Sequence, residues 1–222
     1  MDGSPTVIRL PLGRANAYLV IDERPILVDT GFPGDYPLLK ERLAEHRIRP
    51  SELSLVVITH AHFDHTGNLL PLKRDGDVPI VSHANAARNL EKGTSADVRP
   101  RTVLGRIARP LLSLAPTFPP LAPEIIIERE TPLYPFGVRG RLLPTIGHTD
   151  GCLSLLLDDG RAIVGDLVMN GLFRTKRPHV PIFMYDETEW EASLRALLDR
   201  GVERFYTGHG GPFDREEVSG LL

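Results

Sequence analysis

A layered α/β fold is the architecture this sequence predicts, and three observations predict it. Short apolar runs rich in β-branched residues alternate with amphipathic helical stretches, the pattern of sheets covered by helices. The length of 222 residues suits one large domain, expected to span 1–222 and to bury a substantial core. Histidines and aspartates gather at glycine-flanked strand ends in both halves of the chain, so a single site would draw on both halves.

The chain opens with three β-type runs, Val7–Leu10, Ala17–Ile21 and Pro25–Val28, an expected antiparallel meander. The third ends at Asp29-Thr30-Gly31, where Asp29 has two readings: a cap for the amides of the following loop, or a residue behind a metal site. Between Asp35 and His46, Tyr36, Leu38, Leu39, Leu43 and Ala44 form a helical stripe opposite charged residues, with His46 at its solvated end. The strand Leu53–Ile58 follows. Residues 66–73 can form a short helix, Val78–Ser82 a strand and 84–91 another helix, with His83 capping or packing at its start.

Residues 93–123 form an insertion with six prolines, at 100, 110, 116, 119, 120 and 123, so they cannot be one long helix. Thr102–Leu114 nevertheless presents Leu104, Ile107, Ala108, Leu111 and Ala115 on one face, with Pro110 as its kink. This Pro-rich amphipathic segment can wall a substrate pocket, mediate a homodimer or pack on a sheet. A second set of strands is expected at Glu124–Ile127, near Leu133, and at Arg141–Leu143, Leu153–Leu157 and Arg161–Val164. Asp158-Asp159-Gly160 joins the last two as a hairpin. Glu187–Arg200, with Trp190, Leu194, Leu197 and Leu198 on one stripe, is a covering helix, and Phe205–Thr207 is the last strand.

Composition narrows the function classes. Of the residues, 41% are apolar and 25% charged, ordinary for a globular protein, and a net charge of −3 gives no bulk reason to bind nucleic acid. One cysteine excludes an intramolecular disulfide and fits a reducing cytoplasm, the expected location. Met1-Asp2-Gly3-Ser4-Pro5 lacks a basic region followed by a long apolar run, so no signal peptide is expected, and no run approaches the roughly 18 to 20 apolar residues of a membrane span.

The chemistry concentrates where Leu55–Ile58 ends in Thr59-His60-Ala61-His62-Phe63-Asp64-His65. His60 and His62 are two apart, so on an extended backbone both imidazoles leave the same side and can meet one cation. Asp64 and His65 follow where the chain turns toward a helix and point elsewhere, which suggests two adjacent cations. His148 and His209 lie in glycine-flanked turns, Gly147-His148-Thr149-Asp150-Gly151 and Thr207-Gly208-His209-Gly210-Gly211, and Asp166 ends the strand Ile163-Val164-Gly165. A carboxylate there can bridge two cations, and glycine lets backbone approach a crowded site. Structural zinc sites are usually closed by four Cys or His ligands, whereas this His-rich set with carboxylates leaves room for water.

The ordered set Val28-Asp29-Thr30-Gly31, His60-x-His62-x-Asp64-His65, His148, Asp166 and His209 resembles the metallo-β-lactamase superfamily, over about residues 7–213. Carried over by position, the resemblance implies a first site of His60, His62 and His148, a second of Asp64, His65 and His209, and Asp166 between them. It implies a four-layer αβ/βα sandwich of mostly antiparallel or mixed sheets, with the metals in a cleft at one sheet edge. Asp166 stands where β-lactam-hydrolysing members typically carry Cys, which brings the chain closer to glyoxalase II and the lactonases. Glyoxalase II proper has a further C-terminal helical domain for glutathione, and only about a dozen residues follow His209 here.

The expected cofactors are two divalent cations, zinc first, with iron or manganese as substitutes. Sharing Asp166, they would hold a bridging water, present it as hydroxide and polarise the carbonyl of a small ester, thioester or lactone. Asp64 would ligate the second cation and pass a proton to the leaving group. Arg174, with Lys176 and Arg177, either meets an anionic substrate or belongs to a solvated basic loop. Tyr185, with Phe183 and Met184, either walls the pocket or packs in the core. Cys152 reads as a small buried hydrophobe. Two alternatives stay open: Gly147-His148-Thr149-Asp150-Gly151-Cys152 is similar to persulfide dioxygenases, which use one iron held by two His and one Asp, and the fold can also serve a non-catalytic or electron-transfer role.

Overall fold

The computed structural model describes residues 3–101, 105–107, 116–170 and 177–222. Its first half builds strands β1 (Thr6–Leu12), β2 (Ala15–Ile21) and β3 (Pro25–Val28). Helix α1 (Tyr36–Glu45) precedes β4 (Leu55–Val57), and the short α2 (Phe63–Thr66) and α3 (Leu69–Gly76) follow it. Next come β5 (Ile80–His83), α4 (Ala84–Lys92), the two-residue β6 (Arg99–Pro100) and β7 (Ile125–Ile127). A six-stranded sheet runs β1-β2-β3-β4-β5-β7. The meander is antiparallel, and β3, β4, β5 and β7 are parallel.

The second half supplies β8 (Thr131–Pro132), β9 (Gly140–Pro144), β10 (Leu153–Leu157), β11 (Arg161–Ile163), β12 (Met169–Asn170), β13 (Pro178–His179) and β14 (Phe183–Met184). Helix α5 (Glu187–Asp199), β15 (Arg204–Tyr206), β16 (Phe213–Asp214) and α6 (Arg215–Ser219) complete it. The second sheet runs β16-β15-β11-β10-β9-β8, and two ribbons, β12-β13 and β14-β6, stand apart from both sheets.

Strand periodicity sorts the core into layers. Leu19, Leu27 and Val56 turn outward under Leu39, Leu43, Leu72 and Leu90 of the first-half helices. Their neighbours Val20, Ile26, Val28, Leu55 and Val57 turn inward to meet Leu142, Leu153, Leu155 and Ile163 of the second sheet. On the far side, Leu143, Leu156 and Phe205 pack under Trp190, Leu194, Leu197 and Leu198 of α5. The result is helix, sheet, sheet, helix, the expected αβ/βα sandwich.

Several expectations are corrected. Ile125–Ile127 belongs to the first sheet, parallel to β5, rather than to the second set. A run of three isoleucines carries no alternation that would say which sheet receives it. The helix expected at 66–73 is two helices. They break at Gly67, where a Cβ would fall 2.1 Å from Pro33 N, and at Asn68, whose amide donates to Thr30 O at 2.6 Å and Phe32 O at 2.7 Å. The segment near Leu133 is a strand only at Thr131–Pro132, and a 3₁₀ turn at Tyr134–Phe136 follows. Of the amphipathic stretch Thr102–Leu114, only Gly105–Ile107 is described; it is helical, and Ile107 is exposed. The rest lies outside the described residues. His83 does cap α4, its Nδ1 accepting from Asn85 N at 3.1 Å.

Candidate metal centre

Every residue of the candidate set sits where a strand gives out on the same side of the sandwich. β4 runs straight into His60 and His62, and His62 is the N-cap of α2, whose first turn carries Asp64 and His65. His148 lies in the connection from β9 to β10, Asp166 in a 3₁₀ turn after β11, and His209 after β15. The first sheet thus contributes four side chains and the second three.

These seven side chains converge. The donor atoms of His60, His62 and His148 lie within 4.8 Å of one another, as do those of His60, His65 and Asp166, and those of Asp64, His65 and His209. Asp166 lies between the groups, with Oδ2 at 3.9 Å from His60 Nε2, 3.7 Å from His148 Nε2 and 3.4 Å from His209 Nε2, and Oδ1 at 3.5 Å from His65 Nε2. His209 Nε2 is also 3.2 Å from Asp64 Oδ2. Glycine makes this crowding feasible: a Cβ on Gly208 would lie 2.3 Å from Asp166 Oδ1 and 2.5 Å from His65 Cε1.

Each imidazole is oriented by its outward nitrogen. His62 Nε2 donates to Ala96 O at 3.2 Å, His148 Nδ1 to Phe183 O at 2.9 Å and His209 Nδ1 to Arg14 O at 2.9 Å. His65 Nδ1 donates to Asp29 Oδ2 at 2.7 Å. His60 Nδ1 meets Thr59 Oγ1 at 3.1 Å. A carbonyl or carboxylate can only accept, so a proton sits on the outer nitrogen of His62, His65, His148 and His209, and in the neutral His62 and His148 the inner nitrogen is a bare lone pair. His62 Nδ1 then faces His60 Nε2 at 3.0 Å and His148 Nε2 at 3.1 Å. Lone pairs that close repel one another and call for a cation between them. His65 Nε2 and Asp166 Oδ1, both buried, likewise have no hydrogen-bond partner among the described residues. The donor set therefore fits divalent cations.

Electrostatics divides the cluster in the same way. Burial, with His65 and His62 nearby, holds His60 far below the usual imidazole range; burial lowers His62; and burial with His62 brings His148 down to about 4. All three are neutral donors at pH 7. Burial opposes charge on His65 and His209 too, but there the carboxylates prevail: Asp166, Asp29 and Asp64 raise His65, and Asp166 and Asp64 bring His209 up to about 10. Burial would raise Asp64, yet His65 and His209 bring it down to about 2.

The arrangement identifies the fold family. Residues 10–209 match the family model of the metallo-beta-lactamase superfamily. The chain belongs to that superfamily. Among curated relatives, the probable metallo-hydrolase MJ0888 of Methanocaldococcus jannaschii is 26% identical over 206 residues, covering 92% of each protein. The probable metallo-hydrolase YflN of Bacillus subtilis is 28% identical over 218 residues, covering 89% of this chain and 81% of that one. Among solved structures, TTHA1623 in a di-iron-bound form superposes with a TM-score of 0.69 at 26% identity, covering 97% of this chain and 98% of the other. Membership places the chain among metal-dependent hydrolases.

Around the cluster, the remaining candidates fall differently. Tyr185 follows β14; its amide donates to Gly147 O and His148 O, both at 2.9 Å, and its side chain is 45% exposed rather than core. Met184 is buried and Phe183 only partly so. Arg174 and Lys176 lie outside the described residues, and Arg177 is exposed. Cys152 is buried against Thr149, and burial pushes its thiol up to about 12, so it is inert as a nucleophile. Asp29 does not cap the loop after it. It is buried, with φ 61, and accepts from Thr59 N at 2.8 Å, Thr59 Oγ1 at 2.7 Å and His65. Of its two sequence readings, Asp29 takes the one behind the donor cluster, while the roles of Thr59 and of the carbonyls of Arg14, Ala96 and Phe183 have no reading in the sequence.

Proposed function

We propose that the chain is a single-domain dinuclear zinc hydrolase of a small ester, thioester or lactone. One observation carries the reading: two three-donor groups, one all imidazole and one with Asp64, lie on either side of the single carboxylate Asp166. His60, His62 and His148 would hold one cation, Asp64, His65 and His209 the other, and Asp166 would touch both. Such cations, when bound, supply Lewis acidity toward a carbonyl and lower the pKa of bound water.

The chain's own groups complete the chemistry. Asp64 is a carboxylate at neutral pH and only 15% exposed, so it can accept a proton from attacking water and return it to the leaving oxygen or sulfur. Tyr185 stands exposed beside the His148 turn, where it can flank the acyl group. The di-iron-bound form of TTHA1623, which is 26% identical, supports iron as the alternative to zinc. Participation of His209 and Asp64 favours this reading over a mononuclear iron dioxygenase, which needs two His and one Asp. Elemental analysis after zinc reconstitution tests it: about two zinc per chain are expected, at most one in Asp166→Ala, with hydrolysis of a thioester and lactone panel lost in parallel. Two zinc and full turnover in Asp166→Ala would overturn the reading.

A further inference from the structure

We propose that Asp29, acting directly on one side and through the Thr59 hydroxyl on the other, sets the tautomer of one histidine in each of the two metal groups. The inference rests on the dinuclear reading above and adds to it a positioning pair that ties the two sites together. Asp29 Oδ2 accepts two bonds, from His65 Nδ1 at 2.7 Å and from Thr59 Oγ1 at 2.7 Å. A carboxylate cannot donate, so the hydroxyl proton of Thr59 points at Asp29. The hydroxyl oxygen is then left as an acceptor, and His60 Nδ1, 3.1 Å away, must bring the proton to it. His60 is thereby fixed with Nδ1 protonated and Nε2 bare toward His62 and Asp166, and His65 is fixed with a proton on Nδ1, so that Nε2, which faces Asp166 and Asp64, is the nitrogen a cation would take.

The surroundings protect this geometry. Thr59 is fully buried beside Gly165, where a Cβ would fall 2.7 Å from Thr59 Oγ1. Asp29 holds a left-handed backbone, φ 61, which is costly for most side chains and tolerated by Asp and Asn. Thr59 N anchors the second oxygen, Oδ1, at 2.8 Å. The carboxylate is thus held on three sides, in a conformation that Asn can keep while reversing the hydrogen-bond polarity on one of its atoms.

Substitutions separate this polarity from packing. Thr59→Val and Thr59→Ala remove the hydroxyl with and without loss of volume, and Thr59→Ser retains it. In zinc titrations against a competing chelator, the two variants without the hydroxyl should bind one of the two zinc ions about 10- to 100-fold more weakly, and Ser should stay near wild type. Anomalous diffraction from the half-loaded Val variant should find the surviving ion at Asp64, His65 and His209. Asp29→Asn, which can turn its amide N–H groups toward His65 Nδ1, should weaken both ions. Variants that rank by side-chain volume, with Val like wild type and Ser like Ala, would overturn the proposal; if Val does not fold, the comparison of Ala with Ser still decides it. A wild type that holds fewer than two zinc would instead overturn the dinuclear reading.

Discussion

Gly208 is the position where the lack of a side chain does most for the site. A Cβ would stand 2.3 Å from Asp166 Oδ1 and 2.5 Å from His65 Cε1, distances that require one of the two to move. Gly208→Ala should therefore fold and yet lose at least one of two zinc ions per chain by elemental analysis; two retained ions would show that Asp166 and His65 can shift and still bind. Some residues of the site are legible in the sequence and others are not, for a physical reason. His60 and His62 can be read because a strand's two-residue period puts them on one side. Asp29 stays open between two readings because an aspartate before Thr-Gly is an ordinary turn cap, while the partner that decides the matter, His65, is 36 positions away. The carbonyls behind His62, His148 and His209 carry no side-chain signature at all.

Among the elements, α5 packs against the turns that carry His148 and Asp166. Trp190 is 3% exposed, its Nε1 donates to Leu167 O at 2.7 Å beside Asp166, and a Cβ on Gly147, next to His148, would lie 2.4 Å from Trp190 Cα. Trp190→Ala should cost about 3–5 kcal/mol of stability in urea unfolding, from lost burial and the cavity left behind. Trp190→Phe, which keeps most of the packing but strands the Leu167 carbonyl, should cost about 1–3 kcal/mol. An alanine variant within 1 kcal/mol of wild type would mean that α5 does not brace these turns. The helix itself was readable from its stripe, since Trp190, Leu194, Leu197 and Leu198 are all buried. The sequence pattern alone puts β7 with the wrong sheet, because pairing across the 44 positions from Val81 to its partner Ile125 is decided by tertiary packing.

At the scale of the molecule, the candidate metal centre is also a joint. The first sheet brings His60, His62, Asp64 and His65, and the second brings His148, Asp166 and His209. The protein alone joins the halves by their shared apolar layer and by contacts such as Asp22, which accepts from Arg139 Nε at 3.0 Å and Nη2 at 2.7 Å. Cations held by side chains from both sheets would bind the folded chain far more tightly than the unfolded one, and so should stabilise it by mass action. At free zinc about 1,000 times the dissociation constant, each ion adds about 4 kcal/mol, equivalent to about 10 °C in melting temperature for a chain of this size. In the metal-free chain His209, with its pKa up at about 10, is protonated at pH 7, and that proton must leave when a cation takes Nε2. The stabilisation should therefore shrink as pH falls and grow as pH rises toward 10. Calorimetry with chelator and with graded zinc, at pH 6 and pH 8, checks both statements: the melting temperature should climb with zinc, more steeply at pH 8. A melting temperature indifferent to zinc at both pH values would mean that no cation spans the two sheets.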